Sequence, residues 1–325
     1  MFGKISVSWG TALVAMSLGS TPALANGYPT SAVKLVVPQS AGSGGDLVAR
    51  ILSEKLAAVL GQSVVVDNKP GANGVLAASL VAKSKPDGYT LMLTGASPIA
   101  FNPALYKKLP YDPAKDFTYL APVADTPFVL VASKQSGLTS YSALLKQAKD
   151  APGKLTFSSA GVGNSTHLAS EMMADRAGIK LMHVPYNGSG PALSAVVGGQ
   201  IDLMFSVVGT ALPQIRAGAV TPLLVLNADS ISDLPNVPST KQVGLELPHL
   251  PAWYGVLGPA GMDPKVAQVV EKAVKEALRD PGLQQQFKAQ YLPEMPGTSK
   301  DLFNNSMRDM KTWGDLIKRL GITVE

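Results

Sequence analysis

Pro38-Gln39-Ser40-Ala41-Gly42-Ser43-Gly44-Gly45-Asp46 follows an apolar run at Val33–Val37 and opens a helix-like run. Ser158-Ser159-Ala160-Gly161-Val162-Gly163-Asn164-Ser165-Thr166 stands in the same setting about 120 residues later. A glycine-rich turn between a strand and a helix aims unpaired backbone N–H groups at whatever lies above the strand end. The helix N-terminus adds partial positive charge, so such a turn suits a cluster of anionic oxygens. One loop of this kind says little. Two, in separate β/α blocks, imply two lobes that grip one small anion between them.

Outward from these loops, strand-like and helix-like runs alternate, which argues for an α/β fold. Beyond Val33–Val37, strands are expected at 64–66 and 90–93 in the first block, and at 128–132, 155–158, 181–184, 201–205 and 223–226 in the second. Leu47, Ile51, Leu56 and Leu60 mark one face of a helix that stops at Gly61. Further helices are expected at 165–177, 191–197 and 213–217. Past Leu250 a returning strand at 253–259 precedes an amphipathic helix at Pro264–Leu278, whose Pro264 suits a first turn. A last helix is expected at 299–320, where Phe303, Met307, Met310, Trp313, Ile317 and Leu320 recur at i+3/i+4 spacing. The chain is expected to cross between lobes near Ala124 and to return near Leu250, so that residues 26–124 and 251–325 form lobe one and 125–250 form lobe two. Two crossings make a natural hinge.

The N-terminus reads as a secretory signal over residues 1–25: Lys4, an apolar stretch from Ile5 to Leu18, then Pro22 and Ala23-Leu24-Ala25. A membrane span needs about 20 apolar residues, and this stretch is shorter and broken by Ser6, Ser8, Gly10 and Thr11. The chain has no cysteine. That excludes disulfides, thiolate metal sites, a cysteine nucleophile and a lipidated N-terminal cysteine, and it fits export to a bacterial periplasm. Loss of the leader with its single cation lowers the formal net charge from +5 to +4. The lysines are scattered, and no basic stripe with interleaved aromatics points to nucleic acid.

Catalytic chemistry is not signalled. The three histidines are His167, His183 and His249. His167 and Glu171, one helical turn apart, could share a metal, but two ligands are too few and no third is indicated. There is no Gly-x-Ser-x-Gly elbow, no complete Gly-x-Gly-x-x-Gly and no Gly-Lys-Ser/Thr ending to either loop. No cofactor is implied. Asp46 could be read as a general base, but an acid in the first turn of a helix is favoured structurally, and Arg50 one turn on suits it as an ion-pair partner.

Several segments, in order, resemble the substrate-binding receptors of tripartite tricarboxylate transporters, the Bug family. They are Val37-Pro38 leading to Gly42, Gly44, Asp46 and Arg50; Val66-Asp67-Asn68-Lys69-Pro70-Gly71-Ala72-Asn73-Gly74; and Pro86-Asp87-Gly88-Tyr89-Thr90-Leu91. Gly161-Val162-Gly163-Asn164-Ser165-Thr166-His167-Leu168, His183-Val184-Pro185-Tyr186-Asn187-Gly188 and Gly198-Gly199-Gln200-Ile201-Asp202-Leu203-Met204-Phe205 follow. Leu234-Pro235-Asn236-Val237-Pro238-Ser239 and Trp253-Tyr254-Gly255 complete the set, which spans essentially the whole chain after the leader.

The resemblance implies a type II periplasmic binding protein fold that closes on a small organic carboxylate and delivers it to a membrane permease with one large and one small subunit. It implies no catalysis, and a monomer is expected for this receptor class. Carried over residue by residue, it places ligand contacts at Gln39, Ser40, Ala41, Gly42 and Ser97 in lobe one. In lobe two it places them at Ser159, Gly161, Asn164, Thr166, Tyr186 and Ser206. Asp46, in the first loop, joins them as a candidate. The family usually has an aromatic where Gln39 stands, commonly a proline at Ser40 and often an aspartate at Ser206. An acid missing from the cleft reduces repulsion of a dianion and removes a partner for an amino group, which favours carboxylates over amino acids. Two alternatives stay open at this level: the same fold serving as an extracytoplasmic sensor partner of a two-component system, and an exported hydrolase or lyase.

Overall fold

A computed structural model describes residues 27–226 and 228–324. The expected signal segment, 1–25, lies outside the described residues. Two five-stranded mixed sheets, each flanked by helices, build two lobes.

The first sheet has the order β2-β1-β3-β10-β4. Its strands are β1 (Val33–Val37), β2 (Val64–Asn68), β3 (Thr90–Gly95), β4 (Phe117–Asp125) and β10 (Trp253–Pro259). β1 runs parallel to β2 and β3, whereas β10 runs antiparallel to β3 and β4. β1 is buried at four of its five positions, as expected of a parallel strand covered on both faces. The helix α1 (Gly44–Leu60) starts where Ser43 Oγ accepts the Asp46 amide and stops at Gly61, whose φ of 66° is the left-handed cap a glycine adopts freely. Its Val48, Leu52 and Leu56 are buried together with Val270 and Val274 of α8 (Pro264–Leu278).

The second sheet has the order β7-β6-β8-β5-β9. It is built from β5 (Phe128–Ser133), β6 (Thr156–Ser159), β7 (Met182–Pro185), β8 (Leu203–Val207) and β9 (Val220–Leu226). Its parallel trio β7-β6-β8 matches β2-β1-β3, and the antiparallel β5 occupies the place that β10 holds in the first sheet. Asp202 braces this sheet: its Oδ2 accepts both the amide and the hydroxyl of Thr156, at 2.8 and 2.9 Å. Around the two sheets lie α2 (Val75–Ala82), α3 (Asn102–Leu105), α4 (Tyr141–Asp150), α5 (Ser165–Ala177), α6 (Ser189–Val197) and α7 (Val208–Arg216), followed after β10 by α9 (Pro281–Ala289) and α10 (Ser299–Arg319).

The chain leaves the first sheet at Asp125 and enters the second at Phe128; it re-enters the first at Trp253. The two crossings are tied to each other, since the Thr126 amide donates to the Ala252 carbonyl at 3.3 Å. Asp125 also meets His249 at 3.0 Å, and this carboxylate raises the His249 pKa.

The structure departs from the sequence reading in places. β4 was not expected, because Pro122 interrupts its apolar run. β4 is an edge strand, where a missing N–H breaks no interior ladder, and its pairing with β10 shifts register on either side of Gly255. α7 begins at Val208 and contains Pro213, which the sequence suggested as a start. α9 was not anticipated. Among the described residues, no helix is long and apolar enough to cross a membrane.

Candidate functional site

Both glycine loops sit at the C-terminal ends of parallel strands, β1 and β6, and face each other across a cleft of about 320 Å³. This is where open α/β sheets place their ligands. The helices α1, α2, α5, α6 and α7 all present a first residue or N-cap to that space: Gly44, Gly74, Asn164 with Ser165, Gly188 with Ser189, and Val207. Among the described residues, no Asp, Glu, Lys, Arg or His lines the cleft. Its polarity comes from backbone amides, hydroxyls and carboxamides, and the convergent helix termini make it electropositive without a cation.

The first loop is held from below. Gln39 Oε1 accepts the Gly45 amide at 2.7 Å, and Asn68 Nδ2 donates to the Gln39 carbonyl at 3.0 Å. Asp46 is buried and saturated: its carboxylate accepts from the Gly42 amide, Arg50 Nε and Asn68 Nδ2, each at 3.0 Å. Burial alone pushes its pKa up, but hydrogen bonds from Arg50, Gly42 and Asn68 outweigh it and hold the carboxyl below the usual range. Tyr254, against Gly44 and Gly45, closes the floor with its hydroxyl pKa pushed up to about 12 by burial.

The second loop is braced by two stacked imidazoles. His167 and His183 lie 3.9 Å apart between centroids, with Phe157 stacked on His183 at 4.8 Å. His167 Nδ1 accepts the Gly163 amide at 3.0 Å, and His183 Nε2 meets Ser159 Oγ at 2.6 Å. Burial, with His167 alongside, lowers the His183 pKa to about 3, so this ring is neutral at physiological pH. Thr166 Oγ1 accepts the Ala160 amide, and Asn164 Oδ1 caps α5 by accepting the Thr166 amide at 3.1 Å. His167 Nε2 and Glu171 do meet, at 3.5 Å, but no group of three or more candidate metal ligands occurs among the described residues.

Of the residues singled out in the sequence, Gln39, Ser40, Ser97, Gly161, Asn164, Thr166 and Tyr186 line the cleft. Ala41, Gly42, Asp46, Ser159 and Ser206 are not part of the lining. The Gly42 amide is spent on Asp46, the Ser159 hydroxyl points back to His183 and Gly161, and Ser206 is fully buried with its hydroxyl on the Val207 carbonyl. These polar groups organise the loops from behind. A third loop, residues 70–74, was read only as part of the resemblance, yet all five of its residues line the cleft. Gly71, Ala72, Asn73 and Gly74 have φ of 130°, 48°, 51° and 87°, four consecutive residues in a region most side chains avoid. Aromatic and apolar groups complete the wall, including Phe128, Trp253, Tyr106 and Val324.

Against known proteins, the family model described as tripartite tricarboxylate transporter family receptor matches residues 48–322. Protein BugT of Bordetella pertussis is 32% identical over 303 residues, covering 93% of this chain and 93% of that protein. Two solved structures share the architecture. MatC from Rhodopseudomonas palustris with bound malate gives a TM-score of 0.82 at 29% identity, covering 89% of this chain and 100% of that one. An R. palustris protein solved with adipate gives 0.87 at 29% identity, covering 91% and 100%.

Proposed function

Because this chain belongs to the tripartite tricarboxylate transporter receptor family and has its two-lobed periplasmic binding protein fold, we propose that it captures a small organic carboxylate in the periplasm and hands it to a membrane permease. The observation that carries this reading is the meeting of five helix N-termini at a cleft that, among the described residues, no charged side chain lines. Such a site attracts an anion, offers it neutral donors, and gives an ammonium group no carboxylate to pair with. The malate and adipate bound to the two R. palustris relatives are anions of the expected size and charge.

Gln39, Ser40, Ser97, Gly161, Asn164 and Tyr186 supply the side chains and amides that reach the ligand, while Thr166, whose amide and hydroxyl both donate to Asn164, holds Asn164 in place. Each neutral bond contributes about 0.5–1.5 kcal/mol net, and more to a charged oxygen, so micromolar affinity, about −8 kcal/mol, requires several at once. Closure of the lobes supplies them together and excludes water, which strengthens each one. Residues 26–124 with 251–325 form one moving body and 125–250 the other, the hinge lying at the paired crossings. The closed pair of lobes is the surface that a permease reads. The protein acts as a monomer and returns its ligand unchanged.

The test is a thermal-shift screen of the chain from Asn26 against di- and tricarboxylates, aromatic acids, amino acids and sugars. A micromolar ligand at 100 times its dissociation constant should add about 2.7 kcal/mol of stability. A shift from carboxylates, with the ligand recovered intact, supports the receptor reading. A shift from amino acids or sugars alone would overturn it.

A further inference from the structure

One hydrogen-bond chain crosses the cleft, and its direction is set at both ends by groups that cannot reverse. In lobe one the Pro98 carbonyl can only accept, so the Tyr111 hydroxyl donates to it, at 2.7 Å. That proton being spent, the Tyr111 oxygen accepts from Asn102 Nδ2 at 3.3 Å, and the same Nδ2 donates to the Asn73 carbonyl at 3.1 Å. Asn102 Oδ1 must then accept, and Asn73 Nδ2 donates to it at 2.8 Å. The remaining atom of that amide, Asn73 Oδ1, therefore faces the cleft as an acceptor.

In lobe two the Thr166 amide can only donate, so Asn164 turns its Oδ1 toward it and its Nδ2 outward. The Thr166 hydroxyl agrees, accepting from the Ala160 amide and donating to Asn164 Oδ1 at 3.2 Å. Asn164 Nδ2 reaches Asn73 Oδ1 and Ser97 Oγ, both at 3.4 Å. These distances are at the long end for a hydrogen bond. Weak bonds suit a contact that must form and break each time the lobes move.

Asn102 is fully buried, Tyr111 nearly so, and Asn73 is held at φ 51°. Glycine would meet that backbone requirement with less strain. The side chain is what asparagine supplies beyond it.

The geometry points to Asn73 as a positioning residue that latches the cleft: the buried Asn102–Tyr111 pair locks its amide so that Oδ1 always offers an acceptor to Asn164 Nδ2 of the opposite lobe. The latch sets how long a ligand is retained and orients Asn164 toward it. It rests on the carboxylate reading only for the choice of probe.

The absence of cysteine makes the test clean. Lys83→Cys and Lys149→Cys place one spin label on an exposed position of each lobe, and pulsed dipolar spectroscopy reads the interlobe distance with and without adipate. Asn73→Gly keeps the backbone conformation and removes the amide. Because the buried Asn102 Oδ1 loses its donor, it should lower the melting temperature of the ligand-free protein, shift the distance distribution to longer values, and speed adipate dissociation about fivefold. Asn164→Ser, which keeps a capping oxygen for α5, should shift the distances in the same way. The double variant should add nothing to the shift. Unchanged distances in both single variants, or shifts that add, would overturn the latch. If adipate binds neither parent nor variant, the choice of carboxylate fails, while the ligand-free distances still decide the latch.

Discussion

Asp46 is an acid in the first glycine-rich loop of the cleft, and its charge is consumed by its own lobe. Arg50 is well exposed, so its ion pair is screened by solvent, and the buried bonds from the Gly42 amide and Asn68 matter more. Asp46→Asn should therefore cost about 1–3 kcal/mol at neutral pH, read by urea unfolding. The sign with pH follows from the lowered pKa. The stabilisation is fully present above the unfolded value of about 3.9 and is lost as pH falls through the lower folded value. The parent should thus lose stability below about pH 4 more steeply than the variant. Equal slopes would mean that the carboxylate contributes nothing as an anion. The resemblance carried Ser159 and Ser206 over as ligand contacts, and Asp46 joined them by its place in the first loop. Which way a side chain points depends on partners distant in sequence, here Asn68 and His183, and no local pattern carries that.

Among the elements, α10 governs one wall of the cleft from outside it. Thr298 and Asp301 form a reciprocal capping box at its start. Trp313 on its buried face packs on Phe101 with centroids 5.7 Å apart, and Phe101 ends the turn at Ser97–Phe101 that brings Ser97 to the cleft. Thr298→Ala should cost about 1 kcal/mol, as loss of a cap does. Trp313→Ala should cost about 3–5 kcal/mol and also weaken ligand binding, because the turn loses its backing. Calorimetry of both variants checks this, and unaltered affinity in Trp313→Ala would separate α10 from the site. The parallel strands, α8 and α10 were legible because burial on a fixed face imposes a period on the sequence. β4 was hidden by Pro122, which only the edge position and the irregular pairing with β10 make acceptable. The loop at 70–74 was hidden as a site because its shape requires Ala72 and Asn73 in a conformation that glycine alone advertises.

Across the whole molecule, glycines set how near the lobes can come. Gly163, in the second lobe, has φ 73°, and a Cβ there would overlap the Leu105 side chain of the first. Gly44 would place a Cβ 2.9 Å from Val207 of the second lobe. Gly163→Ala should hold the lobes apart, enlarging the radius of gyration by small-angle scattering and reducing affinity at least tenfold, since closure assembles bonds worth more than about 1.4 kcal/mol together. A compact, tightly binding variant would show that this contact is not limiting.

The antiparallel strand β10 also imposes an order of events. β3 and β4 do not pair with each other; each pairs with β10, whose first residue follows them by well over a hundred positions. As the chain emerges from the ribosome, the first lobe is left as two unjoined pieces until residue 259 is available. The second sheet, drawn wholly from residues 128–226, has all its strands 33 residues earlier. Early-made segments of the first lobe must wait without their central partner, which keeps a nascent chain of this topology open and threadable for most of its synthesis.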